Sequence, residues 1–389
     1  MRRELRTSVG FVPRLAALYA AMFILPGIAM PFFPVWLKAK DVDARLIGIV
    51  LAVPMIARIP AIPMLTRTAD RRDAVRLVLV VASLATVAGY TLVGLSSGFV
   101  AIFAAYTLTS LFSTPLMPLA ETYALKGLMA RKRAYGPVRL WGSFAFILGN
   151  FAAGFAADIM PAQHLIWLMV AASALVALAA CELAPLARSV PEEDGKALLH
   201  QTLLRDPAFI FVLAAASLIQ ASHAVFYGFS AVQWQAAGLD GTIIAALWAI
   251  GVAAEILLFA VQARLPPFFT PTVLLMTGAL GGTLRWLGMA TDPSAFALPW
   301  LQLLHALSFG ATHLGALMFV AHHAPPGRAA TAQGYLAIAA GCAMAAAMGI
   351  SGALYEDFGS RAYAAMALAA FAGGACGFVA HWMRREPAR

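Results

Sequence analysis

The sequence predicts an all-α membrane protein with twelve transmembrane helices, and three observations lead to this fold class. Of the 389 residues, 62% are hydrophobic and 12% are charged, whereas a soluble chain is about 45–50% apolar and about 25% charged. Apolar stretches near the roughly 20 residues needed to cross a bilayer recur along the whole chain. Basic residues collect in alternate connections between these stretches. We therefore expect a lipid bilayer, rather than water, around most of the chain.

The twelve predicted spans are each bounded by charges, proline or glycine. They cover residues 13–36, 44–65, 75–95, 99–125, 137–158, 162–183, 207–234, 241–263, 270–290, 297–320, 329–354 and 360–382. The first follows a basic N-terminus but continues to Trp36, which is too long for a cleaved signal segment, so we expect it to be retained. Prolines within spans one and two indicate either helix breaks beside a cavity or ordinary membrane-helix proline. They are Pro26, Pro31, Pro34, Pro54, Pro60 and Pro63.

The distribution of basic residues predicts the orientation of the chain. The two tails and the alternate connections on one side carry 21 of the 27 lysines and arginines, and the connections on the other side carry four. Because cytoplasmic loops of membrane proteins are enriched in these residues, both termini are predicted to be cytoplasmic, in an inner membrane. The net charge of +9 is explained by these loops, and we expect no nucleic-acid partner.

The longest polar stretch divides the chain into two halves. Residues 184–206 are predicted to form a cytoplasmic linker between six-helix bundles at 1–183 and 207–389. A weak internal repeat supports the division, since the fifth span of each half ends in acidic residues, at Asp158 and at Glu356-Asp357. Two such halves are a common transporter design, with the binding site near the midplane between them.

Three ionisable residues on successive spans of the C-terminal half are the strongest functional candidates. Glu255, Arg285 and His305 lie within spans eight, nine and ten, where a charge costs about 2.5–3.5 kcal/mol on insertion scales. Arg285 is suited to hold an anionic or hydroxyl-rich substrate. Glu255 is suited to proton coupling because an acid in a dry site can take up and release a proton. The alternative is a buried Glu255–Arg285 ion pair that only fixes helix packing.

Weaker candidates lie around these three. Tyr227 shares a helix face with Gln220 and His223 on span seven, and Trp286 adjoins Arg285. His313 on span ten is a further candidate, although packing or a local hydrogen bond explains it as well.

In the N-terminal half the candidates are fewer. Glu121 on span four and Arg139 at the start of span five are close enough along the chain to meet across antiparallel helices. The alternative is that both extend to water at helix ends, as we expect for Arg58.

Motifs of soluble enzymes and metal sites are missing from the sequence. It contains no phosphate-binding loop with lysine and no HExxH. The three cysteines show no pair spacing, and His322-His323 lacks further ligands, so we expect no metal. The sequence predicts a protein that is not an enzyme and needs no cofactor, with a proton gradient as its energy source.

Several segments resemble the major facilitator superfamily, and in particular its phenylpropionic-acid transporter group. The loop at residues 66–76 resembles a degraded form of the superfamily's loop signature, with Asp70, Arg71 and Arg76 at core positions and its glycine missing. The remaining segments lie at residues 135–143, 285–286, 301–313 and 330–334. The resemblance implies the major facilitator fold and covers essentially the whole chain.

The resemblance also implies roles, because the group is similar to lactose-permease and nucleoside-proton symporters. Glu121 and Arg139 match the permease's substrate-binding acid and arginine. Glu255, Arg285 and His305 match its acid, arginine and histidine on helices eight, nine and ten. The permease has a carboxylate three residues after this histidine, where the present chain has Ser308. Proton coupling is therefore expected at Glu255 or His305.

The implied function is proton-coupled import of a small organic solute by alternating access, performed by a monomer. The substrate implied by the resemblance is an aromatic carboxylate such as 3-phenylpropionate or cinnamate. Arg285 would hold its carboxylate, and Trp141, Trp286 or Tyr227 would contact its ring. Span five lacks the Gly-Pro-rich motif of drug antiporters, which favours uptake. The alternatives are a sugar, nucleoside or drug transporter, and a membrane sensor or scaffold that transports nothing.

Overall fold

The computed structural model describes residues 2–186, 203–324 and 329–385, and every regular element within them is helical. Short 3₁₀ turns and one π-helical segment, Ala306–Ala311, accompany the α-helices. The α-helices are α1 (Arg2–Ala39), α2 (Ala44–Arg71), α3 (Val75–Leu95), α4 (Phe99–Ser113), α5 (Leu116–Met129), α6 (Gly136–Ile159), α7 (Ile166–Cys181), α8 (Pro207–Ala221), α9 (Ala224–Ala236), α10 (Gly241–Val261), α11 (Pro271–Ala290), α12 (Leu298–Leu303), α13 (Thr312–His323), α14 (Ala329–Phe358) and α15 (Ala362–Arg385).

The helical stretches match the lengths that a bilayer requires. Among the described residues, 11 stretches are long and apolar enough to cross a membrane. The last of them, Thr331–Met383, is 53 residues long and contains both α14 and α15, joined by a 3₁₀ turn at Gly359–Arg361. The predicted all-helical fold is thus confirmed. The number twelve and the cytoplasmic placement of both termini stay predictions.

Short polar side chains start several of these helices. Asp43 accepts a hydrogen bond from the Leu46 amide at 2.8 Å at the start of α2. At the start of α8, Asp206 accepts one from the Ala208 amide at 2.9 Å and is followed by Pro207. These caps satisfy amides that have no partner within the helix, and proline is tolerated at a first helical position because it has no amide hydrogen to lose.

The prolines of spans one and two do not interrupt the helices. Both α1 and α2 continue through them, so the ordinary-proline alternative describes these spans. Interruptions occur instead between α4 and α5, between α8 and α9, and between α12 and α13. A proline removes one backbone hydrogen bond and can be accommodated by bending, whereas the interruptions at Ser222-His223 and around His305 contain no proline.

The chain forms two compact units. The first unit comprises Met1–Glu192 and Trp234–Ala245, and the second comprises Glu193–Gln233 and Ala246–Arg389. The predicted linker 184–206 lies largely outside the described residues, and the predicted division into six-helix halves stays a prediction. We use "first unit" and "second unit" for these two sets of residues.

The core of the first unit takes most of its side chains from α1, α3, α5 and α7, and a few from α2 and α6. Phe11 stacks on Tyr123 with ring centroids 5.6 Å apart, and the Tyr123 hydroxyl donates to the Ala184 carbonyl at 2.6 Å. Arg76, in the first turn of α3, also belongs to this unit, and its Nη2 donates to the Cys181 carbonyl at 2.8 Å, at the C-terminus of α7. A cation is favourable there because the helix dipole is negative at that end.

One face of α6 runs along the start of α10 within the first unit. Buried Asn150 donates through Nδ2 to the Ala245 carbonyl at 2.8 Å. Two turns further on, the Asp158 carboxylate accepts hydrogen bonds from the amides of Gly241 and Thr242 and from the Thr242 hydroxyl. Asp158 therefore caps the N-terminus of α10 from a different helix.

In the second unit, glycines bring α11 close to the chain between α12 and α13. A methyl group at Gly278 would collide with Thr312, and one at Gly281 would collide with Leu307. Small residues at such positions let membrane helices approach each other, so that van der Waals contacts and hydrogen bonds can form between them. This close approach places Arg285 of α11 beside His305 and Ser308.

Candidate functional site

The buried centre of the second unit holds a set of polar side chains that we call the polar network. Its members come from α10, from α11, from α12, from the interruption between α8 and α9, and from the region between α12 and α13. They are Glu255, Arg285, Gln302, His305, Ser308 and His223. The three residues predicted from successive spans are thus brought together, as the sequence indicated.

Arg285 is the hub of the polar network and is only 1% exposed. Its Nη2 donates to Gln302 Oε1 at 2.6 Å, and its Nη1 lies 2.9 Å from His305 Nδ1 and 3.4 Å from Ser308 Oγ. Within the described part of the chain, the side chains that hydrogen-bond to this guanidinium are therefore neutral. Removing a cation from water costs several kcal/mol, and neutral hydrogen bonds recover only part of this cost.

Two aromatic rings also pack against this guanidinium. Its central carbon lies 4.5 Å from the ring centre of Phe226 and 4.6 Å from that of Trp286. A cation within about 6 Å of an aromatic face is attracted to the electrons of the ring. The charge of Arg285 is thus stabilised by rings and dipoles in its immediate surroundings.

The hydrogen-bond geometry determines the tautomer of His305. Because a guanidinium only donates hydrogen bonds, His305 Nδ1 must be the acceptor and carry no proton. The imidazole proton is then on Nε2, which lies 3.5 Å from Glu255 Oε2. His305 is therefore a neutral imidazole between the acid and the arginine. The packing alternative of a direct Glu255–Arg285 pair is not what the structure shows.

A second branch leads from Arg285 to His223, which is fully buried. His223 Nδ1 lies 3.2 Å from each of the carbonyl oxygens of Ile219 and Gln220, and its Nε2 lies 3.2 Å from Ser308 Oγ. Carbonyl oxygens only accept, so the proton is on Nδ1 and Nε2 accepts from the Ser308 hydroxyl. Ser308 then accepts from Arg285 and donates to His223.

The histidines of both branches, His305 and His223, lie next to interruptions of regular α-helix. His305 directly precedes the π-helical segment Ala306–Ala311, which contains Ser308. π-helical turns inside α-helices are found frequently at functional sites. His223 lies at the interruption between α8 and α9, where its amide bonds to the Gln220 carbonyl. Non-helical backbone at membrane depth is tolerated where protein or a water-filled cavity surrounds it.

Aromatic side chains surround the polar network, including two of the predicted ring contacts. Trp286 is fully buried, donates through Nε1 to Ser222 Oγ at 2.9 Å and stacks on Tyr363 at 5.8 Å. Tyr227 stacks on His223 at 5.5 Å, one helical turn along the chain. Trp248 stacks on Phe226 at 4.7 Å. These rings provide an apolar lining beside a buried positive charge.

His313 lies at an exposed position of α13, and its ring contacts are with Phe259 and Phe309 rather than with Arg285. Its ring stacks on Phe309 at 5.9 Å and contacts Phe259 at 6.1 Å. Phe309 in turn stacks on His305 at 5.2 Å, so His313 reaches the polar network through an aromatic ring rather than a hydrogen bond.

The candidates of the first unit are arranged more loosely. Arg139 packs over the Phe23 ring at 4.0 Å, and no ion pair joins it to Glu121 among the described residues. Both lie within electrostatic range of the Tyr19 hydroxyl, which is 3.4 Å from the Tyr135 hydroxyl. Trp141 is 55% exposed, with its ring against Phe144 at 6.4 Å.

The loop residues and histidine pairs form no second site in the described part of the chain. Asp70 and Arg71 are exposed at the end of α2, one turn before Asp73, which has a left-handed φ of 43°. Asp tolerates this region better than most residues, so the loop turns without a glycine. Within the described residues no group of three or more His, Cys, Asp or Glu side chains is arranged to hold a metal ion.

Sequence reasoning missed several members of this site. His223 was grouped with Tyr227 by helical spacing but received no role, and Gln302 received none. Phe226, Trp248 and Tyr363 were likewise not assigned. The available signal was the row of polar residues on span seven, because polar groups in apolar spans need partners inside the protein.

Comparison with known proteins identifies the family of the chain. Residues 12–365 match the model of the MFS_1 like family. The chain is 30% identical over 370 residues to a probable 3-phenylpropionic acid transporter of Escherichia coli (strain K12), covering 92% of this chain and 94% of that protein. It is 28% identical to a maltose permease of Geobacillus stearothermophilus, covering 79% of this chain and 78% of that protein.

Solved structures agree on the fold. The nucleoside transporter NupG matches with a TM-score of 0.80 at 17% identity, covering 97% of this chain and 100% of that chain. A bacterial homologue of the human lysosomal transporter Spinster, inward-facing and occupied, matches with a TM-score of 0.72 at 16% identity, covering 97% of each chain. The chain is a multi-pass membrane protein that belongs to the MFS_1 like family of the major facilitator superfamily, and it is a secondary transporter.

Proposed function

We propose that this protein imports a small aromatic carboxylate, such as 3-phenylpropionate or cinnamate, together with a proton, by alternating access in the inner membrane. The observation that carries the proposal is the neutral His305 between Glu255 and Arg285. The proposal needs no cofactor, metal or nucleic acid, takes the proton gradient as its energy source, and treats the protein as a monomer.

The charges of the polar network explain why a proton and an anion would bind together. Ionised Glu255 offsets the charge of Arg285 across the neutral His305 ring. When Glu255 takes up a proton, the buried guanidinium loses its counter-charge, and an uncompensated buried charge is costly. The carboxylate of a substrate would restore the balance. Each ligand therefore favours the other, as symport requires.

The exposure of the three side chains suggests where the proton enters. The Glu255 side chain is 19% exposed and that of His305 is 9% exposed, while Arg285 is 1% exposed. Of the three side chains, that of Glu255 is therefore the most accessible, and we place the entry of the proton there. A substrate carboxylate would reach Arg285 only after a conformational change that exposes the guanidinium group.

Two features of the lining support an aromatic carboxylate. Phe226, Trp248, Trp286 and Tyr363 form a continuous series of ring contacts beside Arg285. Two buried donors on these rings, Trp248 Nε1 and Tyr363 Oη, have no hydrogen-bond partner among the described residues. Buried donors are usually satisfied, and carboxylate oxygens are strong acceptors. The relative from E. coli bears the name of a phenylpropionic acid transporter.

The other predicted site residues keep supporting roles in this proposal. Trp286, Tyr227 and His313 would contribute ring surface in the second unit. Glu121, Arg139 and Trp141 keep a proposed role in substrate binding, and Asp70, Arg71 and Arg76 keep a proposed role in conformational change.

A sugar is the second candidate substrate, favoured by the 28% identity to a maltose permease. Sugars stack on aromatic rings and bind arginine through hydroxyl groups, so the lining also suits them. A neutral sugar, however, would leave Arg285 without a counter-charge once Glu255 is protonated. This difference distinguishes the two substrates.

Reconstitution in proteoliposomes tests the proposal. With the exterior more acidic than the lumen, 3-phenylpropionate should accumulate and protons should enter with it. Glu255→Gln should abolish accumulation but retain exchange of labelled for unlabelled substrate, because the glutamine mimics the protonated acid. Glu182→Gln, at an exposed helix end, is the matched control and should behave as the unmodified protein.

Two results would overturn the proposal. One is the absence of substrate-dependent proton uptake across a panel of aromatic acids, sugars and nucleosides, which is what a sensor or scaffold would give. The other is unchanged pH-driven accumulation in Glu255→Gln, which would remove Glu255 from proton coupling.

A further inference from the structure

His223 is a buried titratable group that the proposed mechanism does not use. It is 0% exposed, and its ring contacts Tyr227, Trp286, His305 and Phe309 at centroid distances of 5.5, 5.0, 5.6 and 6.1 Å. Its Nδ1 is anchored to two carbonyl oxygens of the α8 backbone, and its Nε2 is anchored to Ser308. These contacts hold the ring in one orientation and one tautomer.

The direction of the hydrogen bonds gives His223 a defined task. The Ser308 hydroxyl has one proton, and its oxygen faces two partners, Arg285 Nη1 and His223 Nε2. When the Ser308 hydroxyl proton points to His223, a lone pair of the Ser308 oxygen is free to accept a hydrogen bond from Arg285. The acceptor nitrogen of His223 therefore orients Ser308, and Ser308 orients the guanidinium.

Ser308 and His223 form an uncharged pair beside the guanidinium of Arg285. An ionised group at position 308 would pair with Arg285 directly and compete with any anionic substrate. Ser308 with neutral His223 holds the guanidinium without adding negative charge. This arrangement leaves the positive charge of Arg285 available to a ligand.

We propose that His223 is a positioning residue for anion binding: through Ser308 it fixes the guanidinium of Arg285 and ties it to the interruption between α8 and α9. The proposal rests on the proposed function, since it assumes that Arg285 receives the substrate anion. His223 itself does not touch the substrate in this scheme.

The transport test compares a charged substrate with a neutral analogue of the same shape. His223→Phe keeps an aromatic ring but removes the acceptor, and should raise the KM for 3-phenylpropionate by about tenfold, the upper end of the loss expected for one neutral hydrogen bond. The affinity for 3-phenylpropionamide, measured by inhibition, should change by less than about threefold because no charge meets Arg285. His223→Gln places an amide oxygen near the same point and should restore most of the affinity.

A double-mutant cycle identifies the route through Ser308. Ser308→Ala should reproduce the effect of His223→Phe, and combining them should add nothing further, because residues acting through one chain of hydrogen bonds are not additive. His164→Phe, at an exposed turn of the first unit, is the matched control and should leave the KM unchanged.

Failure of this inference can be distinguished from failure of the proposed function. If the unmodified protein transports no aromatic carboxylate, the proposed function fails, and thermal unfolding of the substrate-free protein still reports the coupling between positions 223 and 308. Additive effects on unfolding temperature or on KM would overturn the positioning role. Equal losses for the anion and the amide would also overturn it, since they would show a general packing defect.

Discussion

Each unit contains a candidate acid and a candidate arginine, but their surroundings differ between the units. In the second unit, Glu255 and Arg285 are joined through a neutral imidazole, and the guanidinium is sealed from water. In the first unit, Glu121 and Arg139 form no ion pair with each other, and Arg139 packs on the Phe23 ring. The residue types are the same in both units, but only the buried pair, Glu255 and Arg285, is linked through a third side chain. Burial, more than residue identity, therefore determines whether the acid and the arginine are linked.

The largest effect should come from changing the shape of the buried cation. Arg285→Lys keeps the charge but loses the planar group that reaches Gln302, His305 and Ser308 together, so transport should fall by about a hundredfold or more. Arg139→Lys should cost less than about tenfold, because its guanidinium has one aromatic neighbour. Initial uptake rates in proteoliposomes, corrected for the amount of folded protein, measure both. Equal losses would contradict the contrast between buried and accessible arginines.

The two acids should separate binding from proton coupling. Glu121→Gln should raise the KM by about tenfold, as expected for one lost charged hydrogen bond, while substrate still accumulates in response to a pH difference. Glu255→Gln should show the opposite pattern, with exchange retained and accumulation lost. The measurement is the ratio of pH-driven accumulation to exchange in each variant. A loss of accumulation in Glu121→Gln would show that the first unit also carries the proton.

The smallest effect is expected at Tyr19, whose hydroxyl lies within electrostatic range of both Glu121 and Arg139. Its hydroxyl has one long contact, to Tyr135 at 3.4 Å. Tyr19→Phe should therefore change the KM by less than about threefold. His305→Phe should abolish coupling, because it disconnects Glu255 from Arg285. A large effect at Tyr19 would mean that the first unit forms a link of the same kind during transport.

The sequence predicted the meeting of Glu255, Arg285 and His305 because ionisable groups in apolar spans must find partners inside the protein. It did not predict that the imidazole lies between the two charges, since spacing along a helix carries no information on distances between helices. The interruption at Ser222-His223 and the π-helical segment were also missed. Neither contains proline, whereas the prolines of spans one and two lie in continuous helices. Irregular backbone here follows from tertiary hydrogen bonds, which single-span patterns do not show.

The neutral state of His305 has an electrical consequence. In the empty carrier, ionised Glu255 and Arg285 sum to zero charge, and in the loaded carrier of the proposed function a protonated Glu255, Arg285 and a carboxylate also sum to zero. Moving one elementary charge across 100 mV involves about 2.3 kcal/mol of work. A binding site that is neutral in both forms performs none of this work as it changes its access. The driving force would then be the pH difference alone, and the membrane voltage would neither help nor oppose uptake.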